Sequence, residues 1–475
     1  MADALIEEWE ALDLLTALVD KSLVTFDPDA PGGGRYRLLE TVRQYARERL
    51  NMGGEAISMR DRHRDYFSET ATEGRVQMRG AGMAEWLTRF DQDYENIRSA
   101  LEWAMGDTES AEPALTLVGC LDVYWSTRGM LQEGRRRADE ALNHPKASEK
   151  TNARATALNA AGNLAFAEGD NLGSLAYHQE NLEIRTLLND EWGMAAANNN
   201  LALALQGLGR EEEAAKCFEE CVAIFQRLQE RSPELAARLN LGYTMLLLGE
   251  YERSETELKA AIGLAEQLAN TGRMGLANSY MGILYSNQRR YADALPYFVE
   301  AKRLYEEIND PILIGHARLY IAYIHWKEGN KENSVAEMRS LWDEFSKKDL
   351  VNEMTSVCSY LITMTLEDDP AEAVETASKS VELLRRSPRR SIWLDGMEAI
   401  GVLLSKRGDK TAAAKAIGFV DEQRRQANRS ASQHFSDDLD EILAGLQTDE
   451  LKAGAELTEE QAIDLVEQAV KAMGS

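Results

Sequence analysis

The chain has 475 residues, 80 of them acidic and 53 basic, giving a formal net charge of −27. That balance repels a phosphate backbone unless the basic residues gather on one face, so nucleic acid is not the expected partner. No apolar run approaches the roughly 18 residues of a spanning helix, and the acidic opening Met1–Glu8 is unlike a signal peptide, so a soluble, cytoplasmic protein with no membrane partner is expected. Cys120, Cys217, Cys221 and Cys358 suggest no disulfide framework. Cys217 and Cys221 would share a helix face, but no nearby His or Cys completes a metal site, and all four are expected as buried thiols.

Taken in order, Leu5, Ile6, Trp9, Leu12, Leu15, Leu18 and Val19 recur at helical spacing over residues 5–21. Leu23–Phe26 and Arg35–Leu38, joined by the turn-rich residues 27–34, read as two short strands, and a helix follows from Thr41 to Leu50. Helix, hairpin, helix is too little to fold well alone, because a two-stranded ribbon is marginal without something packed on it. Residues 1–50 therefore read as a partial winged-helix remnant whose first helices lie outside the chain. Residues 51–110 predict a helical spacer of two helices, near Ala56–Met78 and Gly82–Met105, broken by Gly53-Gly54 and Gly80-Ala81-Gly82.

Residues 111–427 carry an internal repeat. The turn Gly169-Asp170 recurs as Gly209-Arg210, Gly249-Glu250, Arg289-Arg290 and Gly329-Asn330, always 40 residues on. The register extends back to Gly129 and forward to Asp368-Asp369 and Gly408-Asp409, which makes eight helix pairs. Five residues past each turn start stand Gly134, Ser174, Ala214, Ser254, Ala294, Ser334, Ala373 and Ala413. Seven before it stand Asp122, Gly162, Ala202, Gly242, Gly282, Ala322, Leu361 and Gly401. Two helices cross closely only where side chains are small, so these columns mark the contact within each pair. One pair cannot bury its apolar face, whereas stacked pairs bury a continuous core. HEAT-like repeats share a similar period, but small residues in both columns, with Tyr251 and Tyr291 two past the turn, give the tetratricopeptide pattern. The expected fold is all-α: a tetratricopeptide-like, right-handed superhelical solenoid with one N-terminal β-hairpin. Residues 428–475 read as linker and cap, the linker running from Arg424 to Gln433 and the helices lying near Phe435–Leu446 and Thr458–Met473. A cap is needed because the last pair's apolar face would otherwise meet water.

The runs Leu15-Thr16-Ala17-Leu18-Val19-Asp20-Lys21-Ser22-Leu23-Val24 and Arg35-Tyr36-Arg37-Leu38-Leu39-Glu40-Thr41-Val42-Arg43-Gln44-Tyr45-Ala46-Arg47-Glu48-Arg49-Leu50 closely resemble bacterial regulators of the STAND class. The resemblance implies a winged helix that follows an NB-ARC-type ATPase module and precedes tetratricopeptide repeats. Trp86-Leu87-Thr88-Arg89-Phe90 with Asp93–Ala104 is similar to the family's helical spacer, and Ala455–Ile463 to its usual ending. The spacer is then either a rigid connection or a lever that transmits what the repeats sense. One departure matters most: no Gly-x-x-x-x-Gly-Lys-Ser/Thr loop occurs, and Gly408-Asp409-Lys410-Thr411 lacks the glycine spacing whose amides would cradle phosphate. The family's ATPase activity is not carried over. The chain reads as a sensor half, excised from a longer protein or encoded without its motor, and an ATPase module missing from this chain is an expected partner.

His63, His144, His178, His316, His325 and His434 are scattered, without the spacing of a metal or catalytic centre, and no Gly-x-Ser-x-Gly elbow occurs. No enzyme activity and no cofactor are expected. The first helices of tetratricopeptide pairs line the inner wall of the superhelix, and one column there reads Asn200, Asn240, Tyr280, Tyr320, each 40 apart. Its helical neighbours are Asn159, Asn163, Asn199, Tyr243, Tyr323 and Trp326. An amide offers donor and acceptor together, so a ladder of amides can hold an extended peptide backbone, and the aromatics supply rigid apolar area with a polar tip. The plain alternative is that the amides tie repeats together and the aromatics are core. As a protein or peptide sensor, the chain should lose binding but little stability when Asn200 and Asn240 are removed. A second reading is a DNA-binding transcriptional regulator acting through the hairpin, since residues 35–64 hold eight arginines against four acidic residues. Arg135-Arg136-Arg137 and the arginines of 385–390 read as solvated faces.

Overall fold

The computed structural model describes residues 8–28, 30, 34–78, 80, 82–386, 390–426 and 442–474. The chain forms two compact units, Met1–Asn200 and Leu201–Ser475. Among the described residues no helix is long and apolar enough to cross a membrane.

In the first unit α1 (Glu8–Asp20) leads into a hairpin of β1 (Val24–Asp27) and β2 (Arg35–Leu38), with Val24 opposite Leu38 and Asp27 opposite Arg35. The amphipathic α2 (Glu40–Gly53) follows and buries none of its residues. Phe26, Tyr36, Leu38, Tyr45 and Met52 are exposed, so this module presents an uncovered apolar surface. A polar tie holds the hairpin: Arg35 donates to the Gln92 carbonyl at 2.7 Å and pairs with Asp93. Those two residues lie on α4 (Met83–Met105), which packs on α3 (Ala56–Gln77); these are the two helices predicted for the spacer.

The spacer shares its core with the first repeats, because Phe67, Phe90, Ile97, Trp125, Leu158 and Ile184 belong to one apolar cluster. The first pair begins with a broken helix, α5 (Glu112–Cys120) and α6 (Asp122–Thr127), and closes with α7 (Leu131–Leu142). Trp125 Nε1 donates to the Tyr94 hydroxyl at 3.0 Å, and the Tyr124 hydroxyl to Asp91 at 3.1 Å, which ties α6 to α4. Next come α8 (Asn152–Ala167), α9 (Asn171–Leu187) and α10 (Glu191–Gly207), inside which the unit boundary falls.

The second unit continues with α11 (Glu211–Leu228), α12 (Arg231–Leu247), α13 (Tyr251–Gln267), α14 (Thr271–Asn287), α15 (Tyr291–Glu307), α16 (Pro311–Lys327), α17 (Lys331–Ser346), α18 (Val351–Thr365), α19 (Pro370–Leu384), α20 (Arg390–Lys406) and α21 (Lys410–Gln426). With α5 to α10 these make the eight pairs read from the sequence. The turns within pairs are left-handed at Gly129, Gly169, Gly209, Gly249, Arg289, Gly329 and Gly408, so glycine holds all but one of them. A second series, between pairs, runs through Asn189, Gln229, Ala269, Asn309 and Asp349 at φ of 48 to 59°. Asp170, Asn270, Asp310 and Asp369 start their helices by accepting from backbone N–H groups of the first turn.

The two small columns do meet within the pairs. A Cβ added at Gly242 would stand 2.8 Å from the Leu258 side chain, one at Gly282 2.7 Å from Phe298, and one at Gly162 2.5 Å from the His178 imidazole. Ser254 of one column donates to the carbonyl of Gly242 in the other at 2.7 Å. The pairs α8–α9, α12–α13, α14–α15 and α20–α21 thus seat a bulky knob from the second helix on a glycine of the first, whereas the first pair reverses the arrangement and seats Trp125 of α6 on Gly134 of α7.

The C-terminal end differs from expectation at two points. Arg424–Gln426 belong to α21 and are not linker, because the Arg424 guanidinium, 5 % exposed, holds Glu398 through two bonds of 2.8 Å and Asp395 through one of 3.1 Å. The rest of the expected linker and most of the helix expected near Phe435–Leu446 lie outside the described residues. α22 (Thr448–Ala455), which the sequence reading missed, crosses α21 at backbone contact: a Cβ at Gly418 would lie 2.1 Å from the Leu451 carbonyl oxygen, and one at Gly454 2.2 Å from that of Lys415. α23 (Glu459–Gly474) packs on α19, and Arg385 pairs with its Asp464 and Glu467 at 2.6 Å each.

Gly242→Ala should push Leu258 off its seat and cost roughly 1–3 kcal/mol, the usual range for overpacking. Gly272→Ala, whose nearest neighbour would be Ile308 Cδ1 at 3.6 Å, should be neutral or stabilise by about 0.5–1 kcal/mol through helix propensity. Urea melts of the two variants give the comparison, and equal losses would break the repeat register.

Candidate ligand-binding wall

The ten residues singled out in the sequence all lie on first helices of pairs. They fall into two groups, one in each unit. In the first unit, Asn159 and Asn163 stand on α8 and Asn199 and Asn200 on α10, all half-buried. They form a connected network. Asn200 Nδ2 donates to Asn159 Oδ1 at 2.9 Å and to Asn163 Oδ1 at 3.2 Å, and Asn200 Oδ1 accepts from Asn199 Nδ2 at 3.2 Å. Asn163 Nδ2 in turn donates to Asp122 at 2.8 Å. The Asn200 amide is thus engaged by its neighbours, while no partner among the described residues holds Asn159 Nδ2. The ladder ties α8 to α10.

In the second unit, Asn240 and Tyr243 stand on α12, Tyr280 on α14, and Tyr320, Tyr323 and Trp326 on α16. Tyr243 and Tyr280 stack with ring centroids 4.7 Å apart, and Tyr320 stacks on the core ring of Phe298 at 4.7 Å. Tyr280, Tyr320 and Trp326 are half-buried. Tyr323 departs from the expected role: at 2 % exposure it supports the wall from behind, because Tyr360 and Trp326 cover it. Tyr360 extends the tyrosine column by a further 40 residues and was missed in the sequence, although the same period would have found it. Its ring meets Tyr320 at 6.3 Å and Tyr323 at 5.1 Å. Burial, with the nearby Asp395 charge adding to it, pushes the Tyr320 phenol well above its usual range, and burial does the same at Tyr280. Both therefore remain neutral hydroxyls.

Positive charge gathers at the end of α16. The Lys327 ammonium lies 5.2 Å from the Trp326 ring centre and 5.5 Å from that of Tyr323. The Trp326 indole N–H has no hydrogen-bond partner among the described residues. His316, one helical turn before Tyr320, faces Glu353 at 3.6 Å. The wall of this unit thus offers aromatic faces, neutral hydroxyls and a cation, a combination suited to a chain with apolar side groups and backbone carbonyls. The cysteines form no comparable feature: burial pushes the Cys217 thiol up to about 11 and that of Cys221 higher still.

Residues 4–51 match the winged helix-turn-helix domain model, and residues 153–227, 193–267 and 279–312 match tetratricopeptide repeat models. A protein of Mycobacterium tuberculosis (strain ATCC 25618 / H37Rv), provisionally named an HTH-type transcriptional regulator, is 40 % identical over 129 residues; the match spans 27 % of this chain and 14 % of the relative. A Mycobacterium bovis protein with the same provisional description matches equally. Among solved structures, a STAND protein with a tetratricopeptide repeat sensor from Pyrococcus horikoshii is similar at a TM-score of 0.53 and 13 % identity, over 92 % of this chain and 60 % of that one. A Rap protein complexed with competence and sporulation factor is similar at 0.51 and 14 %, over 77 % of this chain and 98 % of that one. The fold is therefore a tetratricopeptide-repeat solenoid carrying a winged helix-turn-helix module.

The Asn200 network changes one expectation. Asn200→Ala strips a donor from both Asn159 and Asn163, so it should cost about 1–2 kcal/mol of stability at about 0.5–1.5 kcal/mol per bond. Thermal melts would show this, and a loss within 0.3 kcal/mol would mean that water replaces the bonds fully.

Proposed function

We propose that the chain is a non-enzymatic sensor arm of a STAND-type signalling regulator, which holds an extended peptide along the first-helix wall of its repeats. The observation that carries this reading is the column Asn240, Tyr280, Tyr320 of the second unit. Its members recur at 40-residue steps and stay half-buried, and Tyr280 stacks on the neighbouring Tyr243, a contact that the packing of repeats does not require. The uncovered apolar surface of α1, the hairpin and α2 supports the second half of the proposal, since a module with Phe26, Tyr45 and Met52 in water is suited to docking on another domain, such as the regulator's ATPase module. The solved structures lend support by analogy, one being a STAND protein with a tetratricopeptide repeat sensor and another a Rap protein complexed with competence and sporulation factor.

DNA binding by the winged helix is the second reading, and exposed Arg37, Arg47 and Arg62 favour it, as do the names of the mycobacterial relatives. Against it, Arg35 is committed to Asp93 and Arg64 to Asp61 and Asp65.

Random twelve-residue peptides displayed on phage and selected against the full chain would supply a probe, whose affinity calorimetry can measure on variants. Tyr280→Ala should weaken binding about tenfold or more, the usual effect at an aromatic hot spot, while Val299→Ala on the outward side of α15 should leave it unchanged. The reverse result would move the ligand to the convex face. Fluorescence titration with random duplex DNA tests the second reading. Micromolar affinity that falls steeply with salt would favour it over the first, and binding weaker than about 100 μM at physiological salt would exclude it.

A further inference from the structure

Three side chains along one stripe of α9, Ser174, His178 and Asn181, are exposed by 2 % or less. Ser174 Oγ, His178 Nδ1 and Asn181 Oδ1 have no hydrogen-bond partner among the described residues. Spacings of four and three residues place them on the face toward α8, where the imidazole rests on Gly162. Counting on by 40, the place of His178 is taken by Phe218, Leu258, Phe298 and Met338, and that of Asn181 by Cys221, Ala261, Ala301 and Leu341, all of them buried. Leu258 and Phe298 sit on Gly242 and Gly282 as His178 sits on Gly162, so the shape of the knob is kept while its polarity is changed. The serine column makes the same contrast. Ser254 donates to the Gly242 carbonyl and Ser334 to that of Asn330, at 2.7 Å each, but Ser174 has no such bond. A buried polar atom without a partner destabilises the closed state, and burial that pushes His178 down to about 4 leaves it neutral, without an ion pair to offset that cost.

We infer that the α8–α9 pair is a soft repeat, which opens locally at a lower free energy than the apolar-cored pairs α12–α13 and α14–α15. Opening would take Asn159 and Asn163 on α8 out of register with Asn200, so the amide ladder exists only while this pair is closed. That consequence for ligand capture rests on the peptide-binding reading, whereas the opening itself does not. Soft elements of this kind are the ones a ligand can order.

Hydrogen exchange followed by mass spectrometry on the full chain at neutral pH tests the inference without any ligand. Backbone amides in the middle of α9 should exchange about tenfold faster or more than those of α13 and α15, the factor that roughly 1.4 kcal/mol confers. His178→Phe reproduces the Phe298 arrangement and Asn181→Ala that of Ala261 and Ala301. Each should slow exchange in α9 and leave α13 unchanged. Protection of α9 equal to that of α13 and α15 in the natural chain would overturn the inference, as would faster or unchanged exchange in both variants. If peptide binding fails while α9 exchanges fast, the soft repeat stands and the groove reading falls.

Discussion

A bulky side chain seated on a glycine is the contact on which the solenoid depends. Gly242 under Leu258, Gly282 under Phe298 and Gly401 under Ile417 leave no room for even a methyl group, so the two helices of a pair can approach only in this register. The rest follows from that approach. Once the pairs are closed, the outer faces of each pair must be covered by the next, and the apolar clusters run on from pair to pair through Leu239, Leu258, Met281 and Phe298. The same rule governs the end of the second unit, where Gly418 and Gly454 let α21 and α22 cross at backbone distance and the cap close over α19 to α21.

Much of this was legible because small residues and glycine turns announce themselves. Gly169, Gly209, Gly249 and Gly329 occupy left-handed turns that other residues avoid, and the columns of Gly, Ala and Ser repeat beside them. The turns between pairs were less legible, since Asn189, Gln229, Ala269, Asn309 and Asp349 adopt a left-handed backbone without a glycine to mark them. Arg424 was read as linker because an arginine next to Arg425 and Gln426 looks solvated; only its buried partner Glu398, 26 residues earlier, reveals otherwise. The wall was half legible. Period alone finds Asn200 and Tyr280, but it cannot tell that Asn200 spends its amide on Asn159 and Asn163, or that Tyr323 is covered by Tyr360.

The two units divide the expected binding chemistry between them. The first holds amides bonded to one another and, beneath them, a repeat whose knob is a histidine; the second holds aromatics on apolar-cored pairs. A rigid aromatic surface gives affinity at low entropic cost, whereas a polar and costly core gives a place where order can be gained. The winged helix-turn-helix module stands apart chemically, with exposed apolar residues and a hairpin anchored by Arg35.

Site-specific photo-crosslinking in native extract addresses the location of ligand binding most directly. A benzophenone side chain placed at Ile283 or His316 reports on the first-helix wall, and one placed at Glu252 or Val299 reports on the second helices. If the wall receives the ligand, one discrete adduct forms from Ile283 and His316 and none from Glu252 and Val299. Adducts from Glu252 and Val299 alone would contradict that location and leave the tyrosine column a structural feature.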